Sequence, residues 1–88
     1  MKTIHIKIYG HVQGVGFRYY TTYYANQFDI SGTVQNVYDF VEIYATGEHT
    51  TLTAFTEKVI HGASPMSRVS SYEINELPYQ SFNNFRTL

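Results

Sequence analysis

The residues best equipped for chemistry form one run, Gly10-His11-Val12-Gln13-Gly14-Val15-Gly16-Phe17-Arg18. Its three glycines fall within seven positions. Glycine reaches backbone conformations closed to other residues, so successive N–H groups can converge on one concavity. A helix beginning beside that concavity would add unpaired N–H groups and a partial positive charge. Arg18 ends the run with a guanidinium whose fork of donors matches phosphate oxygens. The combination suits a tetrahedral oxyanion. As a bare pattern, Gly-x-x-x-Gly-x-Gly also describes a simple tight connection, and Arg18 a solvated helix cation. The charge map favours the anion. Of six Lys and Arg, Arg18 alone lies between Lys7 and Lys58. A lone cation beside a glycine loop fits one small anion better than a long polyanion.

Other chemistries find little support. There is no cysteine, which removes disulfides, thiolate catalysis and Cys-ligated zinc. His5, His11, His49 and His61 show no His-x-x-x-His pairing, so no metal is expected. No serine or threonine lies in a nucleophile elbow, and the spacing of Asp39, Glu42 and Glu73 demands no carboxylate pair. A Walker-type phosphate loop is absent. No cofactor is expected.

The elements that must position the run follow from periodicity. Ile4, Ile6 and Ile8 alternate with His5, Lys7 and Tyr9, which predicts a half-buried strand from about Lys2. From Phe17 to about Phe28 the spacing of Phe17, Tyr20, Thr21, Tyr24, Ala25 and Phe28 is helical. Tyr and Thr are mediocre helix formers, so packing must hold this helix. Ile30 to about Val37 reads as a second strand and Tyr38-Asp39 as a short turn. Val41, Ile43 and Ala45 mark a third strand, antiparallel to the second. Thr50 to about His61 repeats helical spacing, with Gly62 as cap and Pro65 as block. Met66 to Leu77 is extended, with Val69 and Ile74 as candidate buried residues, and Phe82 to Leu88 forms a last short strand. The order βαββαβ predicts an α+β ferredoxin-like sandwich: an antiparallel sheet with two helices on one face, as a single domain over residues 1–88. Asn36 falls late in the second strand, where an asparagine is ordinarily a turn residue.

The nonapeptide resembles the phosphate-loop signature of the acylphosphatase family, Gly-x-Val-Gln-Gly-Val-x-Phe-Arg, with every fixed position filled. Gly32-Thr33-Val34-Gln35-Asn36 and the later Gly47 are similar to the family's second signature, and Gly62-Ala63-Ser64-Pro65, Val69, Tyr79 and Phe82 extend the likeness along the chain. The resemblance implies hydrolysis of the carboxyl–phosphate bond of small acyl phosphates, such as carbamoyl or phosphoglyceroyl phosphate. It implies that the backbone of His11, Val12, Gln13, Gly14, Val15 and Gly16, with the Arg18 side chain, holds the phosphate. It further implies that Asn36 orients water, without metal or covalent intermediate. An acyl phosphate needs only this, because a carboxylate departs without a general acid. The chain departs from the pattern at Thr33, usually aromatic, and at Gln35, often a cation. The loop after Asn36 is shorter by one, the Asp-Gly turn is reduced to Asp39-Phe40, and Gly16 is expected to make the loop more flexible.

Composition bounds the partners. The net charge of −1 steers the chain toward neither nucleic acid nor an anionic membrane. No apolar run approaches the ~20 residues of a membrane span. The opening residues alternate instead of forming a signal-peptide block. A cytoplasmic monomer acting on a small molecule is expected. Nine Tyr and six Phe are read as amphipathic filler, rings inward and hydroxyls at the rim. Two other readings are a non-catalytic binding module within a larger carbamoyl-phosphate-processing protein and an RNA-recognition domain. The latter lacks its aromatic-and-basic motif.

Overall fold

In the computed structural model, which describes residues 1–88, the isoleucine alternation becomes β1 (Lys2–His11). Ile6 and Ile8 are fully buried on the core side, while His5, Lys7 and Tyr9 occupy the other face. The glycine run leads into α1 (Phe17–Gln27), which buries Phe17, Thr21 and Ala25. β2 (Ser31–Val37) and β3 (Phe40–Gly47) form a hairpin in which Val37 pairs with Phe40 across the two residues Tyr38 and Asp39. α2 (His49–Ile60) buries Leu52, Phe55 and Val59 and ends where Gly62 turns to φ +99°. β4 (Arg68–Leu77) and the three-residue β5 (Phe85–Thr87) complete the chain.

The strand order is β4-β1-β3-β2-β5. The first four strands pair antiparallel, as the sequence predicts, but β5 adds to β2 in parallel, so the sheet is mixed. Both helices pack on one face, α1 over β2 and β5 and α2 over β1 and β3. This is a ferredoxin-like sandwich whose core unites Ile6, Ile8, Val34, Val41, Ile43 and Ala45 of the sheet with Phe17, Ala25, Phe55 and Val59 of the helices.

Two expectations about side chains change. Val69 is half-buried, but Ile74 is 42% exposed, because β4 is an edge strand beyond the cover of the helices. Only some tyrosines are filler. Tyr20 and Tyr24 pack against the core, whereas Tyr19, Tyr23, Tyr38, Tyr72 and Tyr79 are exposed.

The end of β1 is bent where it meets β4. Tyr9 pairs with Ser71 but Gly10 pairs with Val69, so Ser70 is a bulged extra residue on β4. A bulge bends and twists the ladder locally. At the bend Gly10 has φ +131°, and a Cβ there would lie 2.2 Å from the carbonyl oxygen of Arg68. Only glycine allows the two strands to approach this closely, and the chain leaves the sheet directly into the loop.

Candidate active site

The loop is pinned at both ends by apolar side chains. Val12 and Phe17 are each only 1% exposed, and both join the core. Between them Gly14 and Gly16 take left-handed conformations at φ +75° and +79°, which other residues adopt at a cost. Gly16 is the N-cap of α1 (ψ 14°) and accepts a bond from Tyr20 N–H at 3.1 Å. The extra glycine, expected to loosen the loop, sets the turn that starts the helix. No side chain caps α1, and no acidic residue occupies its first turn. The N–H groups there are therefore left without the usual side-chain acceptor and present positive potential to an anion.

Arg18 follows in that first turn. Its Nη1 donates to the main-chain oxygen of Leu88 at 3.0 Å. Leu88 is itself held to the sheet by its N–H, which donates to the carbonyl of Val34 at 2.8 Å. The last residues of the chain thus orient the guanidinium, a role with no signal in the sequence.

Asn36 reaches the same place from the sheet. Residues two apart on a strand share a face, so Asn36 points with buried Val34 toward the helices, opposite Val41 of β3. It stands one step beyond the apolar layer. A cleft of about 350 Å³ is lined by Val12, Gly14, Gly16, Arg18, Asn36 and Thr87, with Phe17 and Tyr19 completing the wall. The Asn36 Oδ1 is buried without a hydrogen-bond partner. A buried acceptor left unpaired costs about 1–3 kcal/mol, and at the wall of this cleft a ligand or water can supply the missing donor.

Of the residues expected to hold phosphate, Val12, Gly14, Gly16 and Arg18 line the cleft, and Asn36 joins them. His11, Gln13 and Val15 do not line it. His11 is exposed and pairs with Arg68 at the end of the β1–β4 ladder. Val15 packs against the core. The Gln13 side chain turns away to the hairpin, where its Nε2 donates to the carbonyls of Tyr38 and Phe40, both at 3.0 Å. One amide therefore ties the loop to the turn that follows Asn36.

The departures Thr33 and Gln35 face the opposite side of the sheet. Gln35 Nε2 donates to Glu42 Oε1 at 3.0 Å, and the other Glu42 oxygen meets His5 Nε2 at 2.9 Å. Glu73 accepts from the Tyr9 hydroxyl at 3.0 Å. These carboxylates are engaged on the face away from the cleft. His61, at the end of α2, meets Glu57 at 3.0 Å.

Relatives share this architecture. A family model described as acylphosphatase matches residues 4–87. An acylphosphatase from Staphylococcus aureus (strain Newman) is 48% identical over 89 aligned positions that cover 100% of both chains. The crystal structure of acylphosphatase from Bacillus subtilis is similar with a TM-score of 0.95 at 36% identity, covering 100% of this chain and 99% of that one. Full-length HypF, solved in a phosphate- and nucleotide-bound form, is similar with a TM-score of 0.93 at 25% identity, covering 99% of this chain but 12% of that one. A family match and near-half identity that both run the length of the chain, on a backbone that superimposes throughout, make this protein a member of the acylphosphatase family.

Proposed function

We propose that the chain hydrolyses acyl phosphates to a carboxylate and inorganic phosphate in the cleft shared by Arg18 and Asn36. The phosphoryl group is gripped by the amides of the loop residues that line the cleft, Val12, Gly14 and Gly16, and by the Arg18 guanidinium. These donors are aimed at the three equatorial oxygens, where charge is spread in the transition state. Water sits against Asn36, whose unpaired Oδ1 accepts a hydrogen bond from it and aims its lone pair at phosphorus. The water oxygen attacks, the P–O bond to the carboxylate breaks, and the water proton passes to a phosphoryl oxygen. Asparagine is no base, so its contribution is orientation.

The observation that carries this reading is that Arg18 of α1 and Asn36 of β2 line one cleft, with the asparagine oxygen buried and unpaired. The reaction needs no metal in this scheme, and the working form is a cytoplasmic monomer acting as one domain over residues 1–88. Benzoyl phosphate hydrolysis in the presence of EDTA tests it. Turnover should persist with chelator and be inhibited competitively by phosphate. Full activity of Asn36→Ala would refute the role given to the asparagine.

A further inference from the structure

Successive residues of a strand point to opposite faces of its sheet. On β5, Thr87 lines the cleft beside α1, so Arg86 stands on the far face, in register with Thr33 of β2. There it meets the segment that leads into β5. Gly32 N–H donates to the carbonyl of Asn84 at 2.9 Å, which holds that segment against β2. Beside this bond lies a hollow of about 280 Å³, walled by Gly32 and Thr33 of β2, by Ser81, Phe82, Asn83 and Asn84, and by Arg86. It shares no residue with the cleft of Arg18 and Asn36.

The residues of the hollow carry one guanidinium, two amides and two hydroxyls, and no carboxylate. Arg86 enters none of the chain's ion pairs. None of these five polar side chains makes a hydrogen bond within the chain. On the same face Gln35, Glu42 and His5 satisfy one another, so the lack of partners is particular to the hollow. Such groups are left to water, which a ligand with matching acceptors can replace. A guanidinium offers two parallel N–H groups that fit the two oxygens of a carboxylate. Its single charge balances a monocarboxylate but not a phosphate dianion. Half-buried Phe82 supplies an apolar wall.

We infer that this hollow binds a small organic monocarboxylate, with the Arg86 fork on the carboxylate and Phe82 against its apolar body. The site lies across the sheet from the phosphate loop and does not depend on the role proposed for Arg18.

Benzoate titrated into the intact chain and followed by amide NMR shifts tests the assignment, with sodium chloride at equal ionic strength and inorganic phosphate as the other arms. Saturable shifts should appear at Gly32, Asn83 and Asn84 in the millimolar range, and chloride should produce none there. Arg86→Gln should weaken this binding about ten-fold or more. Arg86→Lys, which keeps the charge and loses the fork, should weaken it by a smaller factor. Arg18→Ala should leave it unchanged. Shifts that never saturate, that chloride reproduces or that survive Arg86→Gln overturn the site. Loss of the shifts in Arg18→Ala assigns them to the cleft and overturns it too. Phosphate saturating the same amides at lower concentration than benzoate overturns the carboxylate class.

Discussion

In the proposed mechanism Arg18 grips phosphate and Asn36 orients water, so their substitutions should separate accordingly. On that proposal Arg18→Ala removes the charge that meets the phosphoryl group. Phosphate inhibition should vanish, and kcat/KM should fall on the order of 10²–10³-fold or more. Asn36→Ala should lower kcat by a similar factor while the inhibition constant for phosphate holds, because water placement contributes nothing to binding phosphate. Steady-state kinetics with phosphate as inhibitor reads both outcomes. Gln13 acts at one remove, through its two bonds to the hairpin carbonyls. Gln13→Met keeps the length and loses the donors. It should cost about 1 kcal/mol of stability by urea denaturation and lower kcat without abolishing it. The Gln13 position is legible as part of a motif, but its task is not. The motif assigns its backbone to phosphate, whereas its side chain spans to carbonyls 25 and 27 residues away.

Among the elements, the short β5 matters most to the site, because the residue after it holds Arg18. Removing Leu88 frees the guanidinium and deletes one bond, Leu88 N–H to the Val34 carbonyl, between this segment and β2. The phosphate inhibition constant should rise, with a fall in urea midpoint equivalent to about 1 kcal/mol. Tyr9 offers a pH test of the β1–β4 pair. Burial, then its bond to Glu73 and the charges of Glu73 and Asp39, raise its phenol above the ordinary tyrosine value. The folded state thus favours the protonated phenol. That contribution is present below the ordinary tyrosine range and is lost as pH rises through the raised value. Tyr9→Phe should remove this part of the alkaline loss of stability, as followed by denaturation at stepped pH. Element types and order are legible from the periods of two and 3.6. The parallel pairing of β5 is not, because three residues carry no direction.

At the scale of the molecule, the core and the site are one structure. Phe55 of α2 is fully buried and meets Phe85 of β5 edge-to-face at 6.0 Å. Phe85 anchors the strand whose successor, Leu88, holds Arg18. Phe55→Ala should cost about 3–5 kcal/mol. Domains of this size have total stabilities near the low end of about 5–15 kcal/mol. The variant should therefore show a large fall in urea midpoint and a weakened grip on phosphate even under conditions where it remains folded. Calorimetry and phosphate inhibition at low temperature would distinguish the two effects. Much of the core is legible from the chain: Ile6, Ile8, Val41, Ile43 and Ala45 all fall on alternating apolar stripes and are fully buried. Ile74 is not, because the pattern of an edge strand is the same whether or not a helix covers it.

The order of amino acids is enough for the glycine loop, the arginine that ends it and the alternation of strand and helix. Backbone freedom, guanidinium geometry and hydrophobic period are properties of neighbours along the chain. Folding in three dimensions was needed to turn Asn36 to the helix side beside Arg18 and to clasp Gln13 on the hairpin. It was needed too for the main-chain oxygen of residue 88 to steady a guanidinium 70 positions earlier. These are contacts between segments brought together by burial of the shared core, and no local rule reports which distant partner a side chain will meet.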